Sequence, residues 1–232
     1  MPKQVYVETF DSGLGGWTGY EKHGVLRKLE IKDGVVTARS PFMLDANHAP
    51  PGAGYLNILA FLLTTENPEA TAFVTPYGGK NNFVAGGYPT DFTNARITFR
   101  MKGEIDFKGS QLVLLAQSKL ADTTANAVLT GQPIKVTKEW SDQTITLVPD
   151  EKQWTPLGGR WNKVKHYGYG PIKDILRDLN HDIILVLFPV NVVPVPPIED
   201  MHNGVPGRDY DYDRTKMPTG YLSIDTVTVE FA

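Results

Sequence analysis

Ala95-Arg96-Ile97-Thr98-Phe99-Arg100-Met101-Lys102 alternates apolar and polar side chains at every step. Ile97, Phe99 and Met101 point one way, and Arg96, Thr98, Arg100 and Lys102 point the other. That period belongs to a strand with one face on a core and one in water. Period-2 or short apolar runs recur on both sides of it. Upstream, Gln4 to Phe10 alternates with Val5, Val7 and Thr9 on one face, and Tyr55 to Leu63 is a dense apolar run suited to a strand buried on both faces. Leu26 to Ile31 and Val35 to Ala38 flank Lys32-Asp33-Gly34, where Asp-Gly signals a hairpin turn. Downstream lie Gln111 to Ser118, Gln143 to Val148, Ile183 to Phe188 and Tyr221 to Phe231. In the last run Leu222 and Ile224 share one parity and Val227, Val229 and Phe231 the other, which predicts a bulge near Asp225-Thr226.

One segment reads as helical. Pro171 to Leu179 sets Ile172, Ile175, Leu176 and Leu179 on one face behind an initial proline. The connections Pro41 to Gly54, Asn67 to Thr93 and Pro189 to Pro218 are long and turn-rich, and such loops usually carry binding. About nine short strands and one short helix give an all-β, two-sheet antiparallel β-sandwich of the jelly-roll kind, a single domain over 1–232. A barrel with a ligand-filled interior is the structural alternative.

The chain has 232 residues, 41% hydrophobic and 21% charged, which fits an ordinary globular protein and leaves ample length for a core. A net charge of −3 supplies no basic field, so nucleic acid and anionic membrane are disfavoured as partners. With no cysteine, disulfides, thiolate metal sites and cysteine nucleophiles are excluded. The opening Met1-Pro2-Lys3-Gln4-Val5-Tyr6-Val7-Glu8 reads as a first strand and not as a signal peptide. As written the chain reads as cytoplasmic, or as secreted if a leader has been trimmed from it. No apolar stretch reaches the roughly 18 residues of a membrane span.

Three stretches carry a resemblance. They are Glu8-Thr9-Phe10-Asp11-Ser12-Gly13-Leu14-Gly15-Gly16-Trp17; Trp140 with Thr144-Ile145-Thr146-Leu147 and Trp154-Thr155-Pro156-Leu157-Gly158; and Gly220-Tyr221-Leu222-Ser223-Ile224-Asp225-Thr226-Val227. Together they resemble the galactose-binding-domain-like jelly rolls, a family that includes many carbohydrate-binding modules. The resemblance implies a sugar ligand. It also implies a structural Ca2+ between the opening turn and the last strand, held by Glu8, Asp11, Asp33 and Asp225. The plain alternative is that Asp11 and Asp33 are turn residues and that Asp225 serves a bulge. Asp209-Tyr210-Asp211-Tyr212-Asp213 lacks the glycine and glutamate of a calcium loop and reads as a solvated loop.

A sugar asks for flat aromatic surface beside polar groups. The candidates are Trp140, Trp154, Trp161 and Tyr167, with Arg39, Arg100 and Gln117 as polar partners. Arg96, Thr98 and Arg100, with Gln117 on a following strand, form the expected polar sheet face. Each tryptophan taken alone can equally pack under a loop, and Trp17, behind two glycines, reads as core. A carbohydrate or other small polar ligand is therefore the expected partner, with the oligomeric state left open.

Two other readings stand beside this one. In the first, a sandwich enzyme, a lyase or hydrolase of a sugar or small hydroxylated substrate, centres on His48 oriented by Asp45, with Tyr55 or Arg39 stabilising negative charge. His202 and Arg208 would close over the same end. His48 can also simply bond within its loop. In the second, proline-rich loops make the chain an assembly subunit.

Overall fold

The computed structural model describes residues 4–22, 25–27, 29–45, 53–63, 81–157, 167–194 and 210–232. In chain order the strands are β1 (Val5–Glu8), β2 (Trp17–Lys22), β3 (Val25–Arg27), β4 (Glu30–Lys32), β5 (Val35–Arg39), β6 (Met43–Asp45) and β7 (Gly54–Leu62). A short helix α1 (Asn82–Ala85) precedes β8 (Arg96–Asp106), β9 (Gln111–Leu120), β10 (Thr123–Val128), β11 (Ser141–Thr146), β12 (Thr155–Pro156) and β13 (Tyr167–Gly168). Helix α2 (Ile172–Arg177) then leads to β14 (Asp182–Val190), β15 (Val193–Pro194), β16 (Tyr210–Asp211) and β17 (Thr219–Glu230).

Two main sheets result. The six-stranded one runs β11-β8-β17-β5-β4, with β1 also on β17. The nine-stranded one runs β12-β10-β9-β14-β7-β2-β3, with β13 on β10 and β6 on β7. The ladders are antiparallel apart from β10–β13. Phe99, Leu147, Val227, Leu185, Leu114 and Phe61 all belong to the one core between the sheets. The alternation of the quoted stretch is realised on β8, where Ile97, Phe99 and Met101 are buried and Arg96 and Arg100 are exposed. Trp17 packs in the core, its ring stacked on Phe61 at 4.3 Å. Among the described residues no helix is long and apolar enough to cross a membrane.

The expected local features fall in place. Asp33 and Gly34 take φ of +52° and +73° in the β4–β5 turn, the pair of positive values that a two-residue hairpin of this hand requires. The bulge lies between Ile224 and Thr226. It has a clear reason. Residues 221–224 pair with β5 and residues 227–230 pair with β1, so Asp225 marks where β17 changes neighbours. Helix α2 buries Ile172, Ile175 and Leu176, and Leu179 just beyond it is buried too.

Three details differ from expectation. A second helix, α1, appears because Asn81 caps it, accepting from the Val84 N–H at 3.2 Å while donating to the Leu62 carbonyl at 2.7 Å. The run Leu26 to Ile31 is not one strand. β3 pairs with β2 of the larger sheet and β4 with β5 of the smaller, so the chain changes sheets there. On β1 the aliphatic stripe faces outward: Val5 and Val7 are 44% and 50% exposed, while Tyr6 and Glu8 are buried. Register decides this, since Tyr6 lies opposite Val229 and Glu8 opposite Val227, both core residues. Glu8 is tolerated inside because it accepts from Tyr6 Oη (3.1 Å), Asn82 Nδ2 (2.9 Å) and the Phe10 N–H (3.1 Å). Burial, and then the Glu8 charge, push the Tyr6 hydroxyl far above its ordinary range, which keeps it a donor.

Candidate functional site

The central strands of the larger sheet are buried on both faces. On β9, Leu112, Leu114 and Ala116 face the inter-sheet core, and Val113, Leu115 and Gln117 face the other way. On β14, Ile183, Leu185 and Leu187 face the core, and Asp182, Ile184, Val186 and Phe188 share the outer face. That outer face is apolar along its middle, with Val128, Leu115, Ile184 and Ala60 side by side.

A polar row crosses one end of it. Asn126 stands opposite Gln117 on the β10–β9 ladder, and Gln117 stands opposite Asp182 on the β9–β14 ladder. Their exposures are 0%, 3% and 2%. Gln117 Nε2 and Asp182 Oδ1 are buried, with no hydrogen-bond partner among the described residues. The other carboxylate oxygen, Asp182 Oδ2, lies 3.5 Å from His181 Nδ1. Four residues along β14, about 13 Å away by strand rise, Val186 faces Asn57. Asn57 Nδ2 donates to Met43 Sδ at 2.9 Å, and Asn57 Oδ1 is buried without a partner among the described residues. A buried amide or carboxylate left unpaired costs on the order of 1–3 kcal/mol or more, so three on one face is a feature to explain.

The end of the face that carries the polar row is held firmly. Asn180 accepts from the Lys119 N–H at 2.9 Å and donates to Asp178 Oδ2 at 3.0 Å, and Ser118 Oγ donates to the Asp178 carbonyl. Thr90 Oγ1 donates to Asp178 Oδ1 at 2.7 Å. The turn from α2 into β14 is thus pinned to the end of β9, which fixes where His181 and Asp182 sit.

Of the residues singled out from sequence, Gln117 belongs to this row. Asp45 and Tyr55 stand opposite each other on the β6–β7 ladder, both buried, at the Asn57 end of the same sheet. His48, His202, Arg208 and Trp161 lie outside the described residues. Tyr167 opens β13, and its side chain lies outside the description too. The expected joint face of Arg96, Thr98, Arg100 and Gln117 is corrected: β8 and β9 are consecutive in the chain but belong to different sheets. Arg100 lies on the exposed face of the smaller sheet, 3.5 Å from Asp142 and 3.5 Å from Asp225. Arg39 is on that sheet as well, 3.6 Å from Glu30 and 5.1 Å from the Tyr221 ring centre. Trp154 is corrected from ligand platform to core residue. It is 5% exposed, and its indole N–H donates to the Val148 carbonyl at 2.9 Å. Trp140 carries the Lys102 ammonium 4.8 Å from its ring centre.

The four proposed calcium ligands are not gathered. Asp11 and Asp33 line one cavity of about 540 Å³ together with Phe10, Leu29 and Ile31. Glu8 points inward to Tyr6 and Asn82, and Asp225 faces Arg100. Among the described residues no group of three or more metal-ligating side chains stands together.

Asn57, Asn126 and Asp182 were not singled out from sequence. One signal was available: Asn57 interrupts an otherwise apolar strand, and Asp182 opens another.

No family model matches the chain, and no curated protein matches it. Among solved structures it is similar to the L4b domain of human laminin alpha-2, with a TM-score of 0.43 and 8% sequence identity over 98% of this chain and 97% of that one.

Proposed function

We propose that this chain binds a sugar or polysaccharide on the outer face of its larger sheet. The carrying observation is the buried row on which Gln117 Nε2 offers a donor and Asp182 Oδ1 an acceptor, neither with a hydrogen-bond partner among the described residues. A sugar hydroxyl both donates and accepts, so neighbouring hydroxyls answer both groups at once. Trp161 enters as the aromatic partner. Pro156 of β12 and Tyr167 of β13 both pair with β10, the strand of Asn126. Titration of the protein with sugars, followed calorimetrically, tests this. Gln117→Leu and Trp161→Ala are expected to lose at least about tenfold in affinity while keeping the wild-type circular-dichroism spectrum. Full affinity in both variants contradicts the proposal.

A second reading rests on Asp45 facing Tyr55. It makes the same sheet the floor of a lyase or hydrolase site with His48 as base. His48→Ala then abolishes turnover of the bound sugar, whereas a pure binder turns nothing over to begin with.

A further inference from the structure

We infer that β1 is a docking edge for a second copy of this chain, the two β1 strands pairing antiparallel about a two-fold axis beside Tyr6. β1 belongs to the smaller sheet, so the inference is independent of the sugar-binding reading. Val5 and Val7 are 44% and 50% exposed, and among the described residues the only other exposed large apolar side chain is Tyr169. The hydrogen-bond phase of β1 shows where the valine peptide groups point. The Phe231 N–H donates to the Gln4 carbonyl at 3.1 Å, and the same register continues through Tyr6 opposite Val229 and Glu8 opposite Val227. Bonded and non-bonded pairs alternate along an antiparallel ladder, so Gln4, Tyr6 and Glu8 turn their peptide groups to β17. The N–H and C=O of Val5 and Val7 therefore point to the opposite edge. Among the described residues β1 has no second neighbour strand, and no loop backbone bonds to Val5 or Val7.

An open edge is ordinarily guarded by charge. The strands at the two ends of this sheet follow that rule: β4 shows Glu30 and Lys32 to solvent, and β11 shows Asp142. The outward residues of β1 are valines instead. The pattern fits a copy of itself. Setting Tyr6 opposite Tyr6 of the second copy puts Val5 opposite Val7 of that copy, and Val7 opposite its Val5. Both members of each pair have outward peptide groups, so each pair exchanges two N–H···O=C bonds. The valines of both copies then lie on one face as cross-strand neighbours. Free peptide groups and apolar side chains coincide at the same two residues, which is the self-complementarity that a two-fold interface requires. The strand is short, so the contact is small and the dimer a weak one.

Sedimentation velocity of the whole chain over a concentration series tests this, with variants at the two exposed positions. The wild type is expected to pass from monomer to dimer below about 1 mM. Val5→Lys combined with Val7→Lys sets lysine opposite lysine and should weaken the dimer at least about tenfold. Val5→Lys combined with Val7→Glu sets lysine opposite glutamate in this register and should return to within about threefold of the wild type. Both side chains are exposed, so each variant should keep the wild-type circular-dichroism spectrum. A wild-type chain that stays monomeric throughout means that the edge takes some other extended segment, and overturns the inference. A dimer that survives the double lysine, or a lysine–glutamate variant as weak as the double lysine, overturns it too. If the variants do not fold, exchange of the Val5 and Val7 amide protons in the wild type decides the matter. Slower exchange at high than at low protein concentration supports the pairing, and equal exchange overturns it.

Discussion

Gln117 and Asp182 face each other directly across the β9–β14 ladder, both buried, and the amide of one does not bond the carboxylate of the other. A donor and an acceptor at adjacent register positions ordinarily pair. Here they do not. The turn that carries Asp182 is pinned through Asn180 and Asp178 to the end of β9, so the two side chains are kept in place without being joined.

This arrangement predicts a trade between stability and binding. Gln117→Leu keeps the volume and deletes the unmatched amide, so unliganded protein should gain about 1 kcal/mol. For a chain of this size that raises the thermal midpoint by about 2–4 °C. Thermal melts followed by circular dichroism check it. A loss of stability would mean that the Gln117 amide is bonded in solution and the row is not waiting for a ligand.

Glycine at position 15 has two separate reasons to be there. Its φ is +60°, and a Cβ would run into the buried Glu8 carboxylate. Gly87 shares the positive φ, +65°, with open space around it. Gly87→Ala should therefore cost only the backbone term, about 1 kcal/mol. Gly15→Ala should cost at least about 2 kcal/mol more, because Glu8 must leave its bonds to Tyr6 and Asn82. Urea unfolding of the two variants makes the comparison; equal losses would contradict it.

Asp225 should matter little, either as a charge or for the register of β17. Its pair with Arg100 is 3.5 Å long and half exposed, so Asp225→Asn should change stability by less than about 1 kcal/mol. Deleting the residue removes the bulge but keeps the pairings Ile224–Met101, Thr226–Arg100 and Val227–Phe99 and sets Leu222, Ile224, Val227 and Val229 on one parity, so the variant should still fold. A deletion variant that fails to fold would show that β17 needs the bulge itself to pass from β5 to β1.

The β8–β9 turn gives a pH prediction. The Lys108 side chain hydrogen-bonded to Asp106, helped by its backbone N–H and charge, holds the Asp106 carboxyl below its usual value. A lowered folded-state value means that the associated stability is complete above the unfolded value, near 3.9, and fades as pH falls through the folded one. Lys108→Gly suits the local φ of +51°. It should move the Asp106 titration upward in carbon-detected NMR, and an unmoved titration would contradict the assignment.

Much of the fold is legible in the sequence because alternation reports burial directly. Ile97, Phe99 and Met101 lie inward as their period requires, and the parity change at Asp225 marks a real bulge. Parity does not say which side of a strand is inside. Val5 and Val7 form an apolar stripe that faces out because β17 sets the register of β1. Nor does alternation say which sheet a strand joins. Gln117 and Arg100, close in sequence, end on different sheets because the turn after β8 crosses between them. The site was the least legible part. Asp182 and Asn126 sit in runs whose apolar neighbours decide the strand, and their meaning emerges only when β10, β9 and β14 bring them into one row.

The side-chain amide resonances of Gln117, Asn126 and Asn57 offer the most direct measurement, followed in a nitrogen–proton correlation spectrum while glucose, galactose and mannose are added in turn. The account predicts that the Gln117 pair shifts and saturates, with Asn126 moving alongside it. Shifts confined to the smaller sheet, around Arg39, Arg100 and Trp140, with Gln117 unmoved, would contradict it.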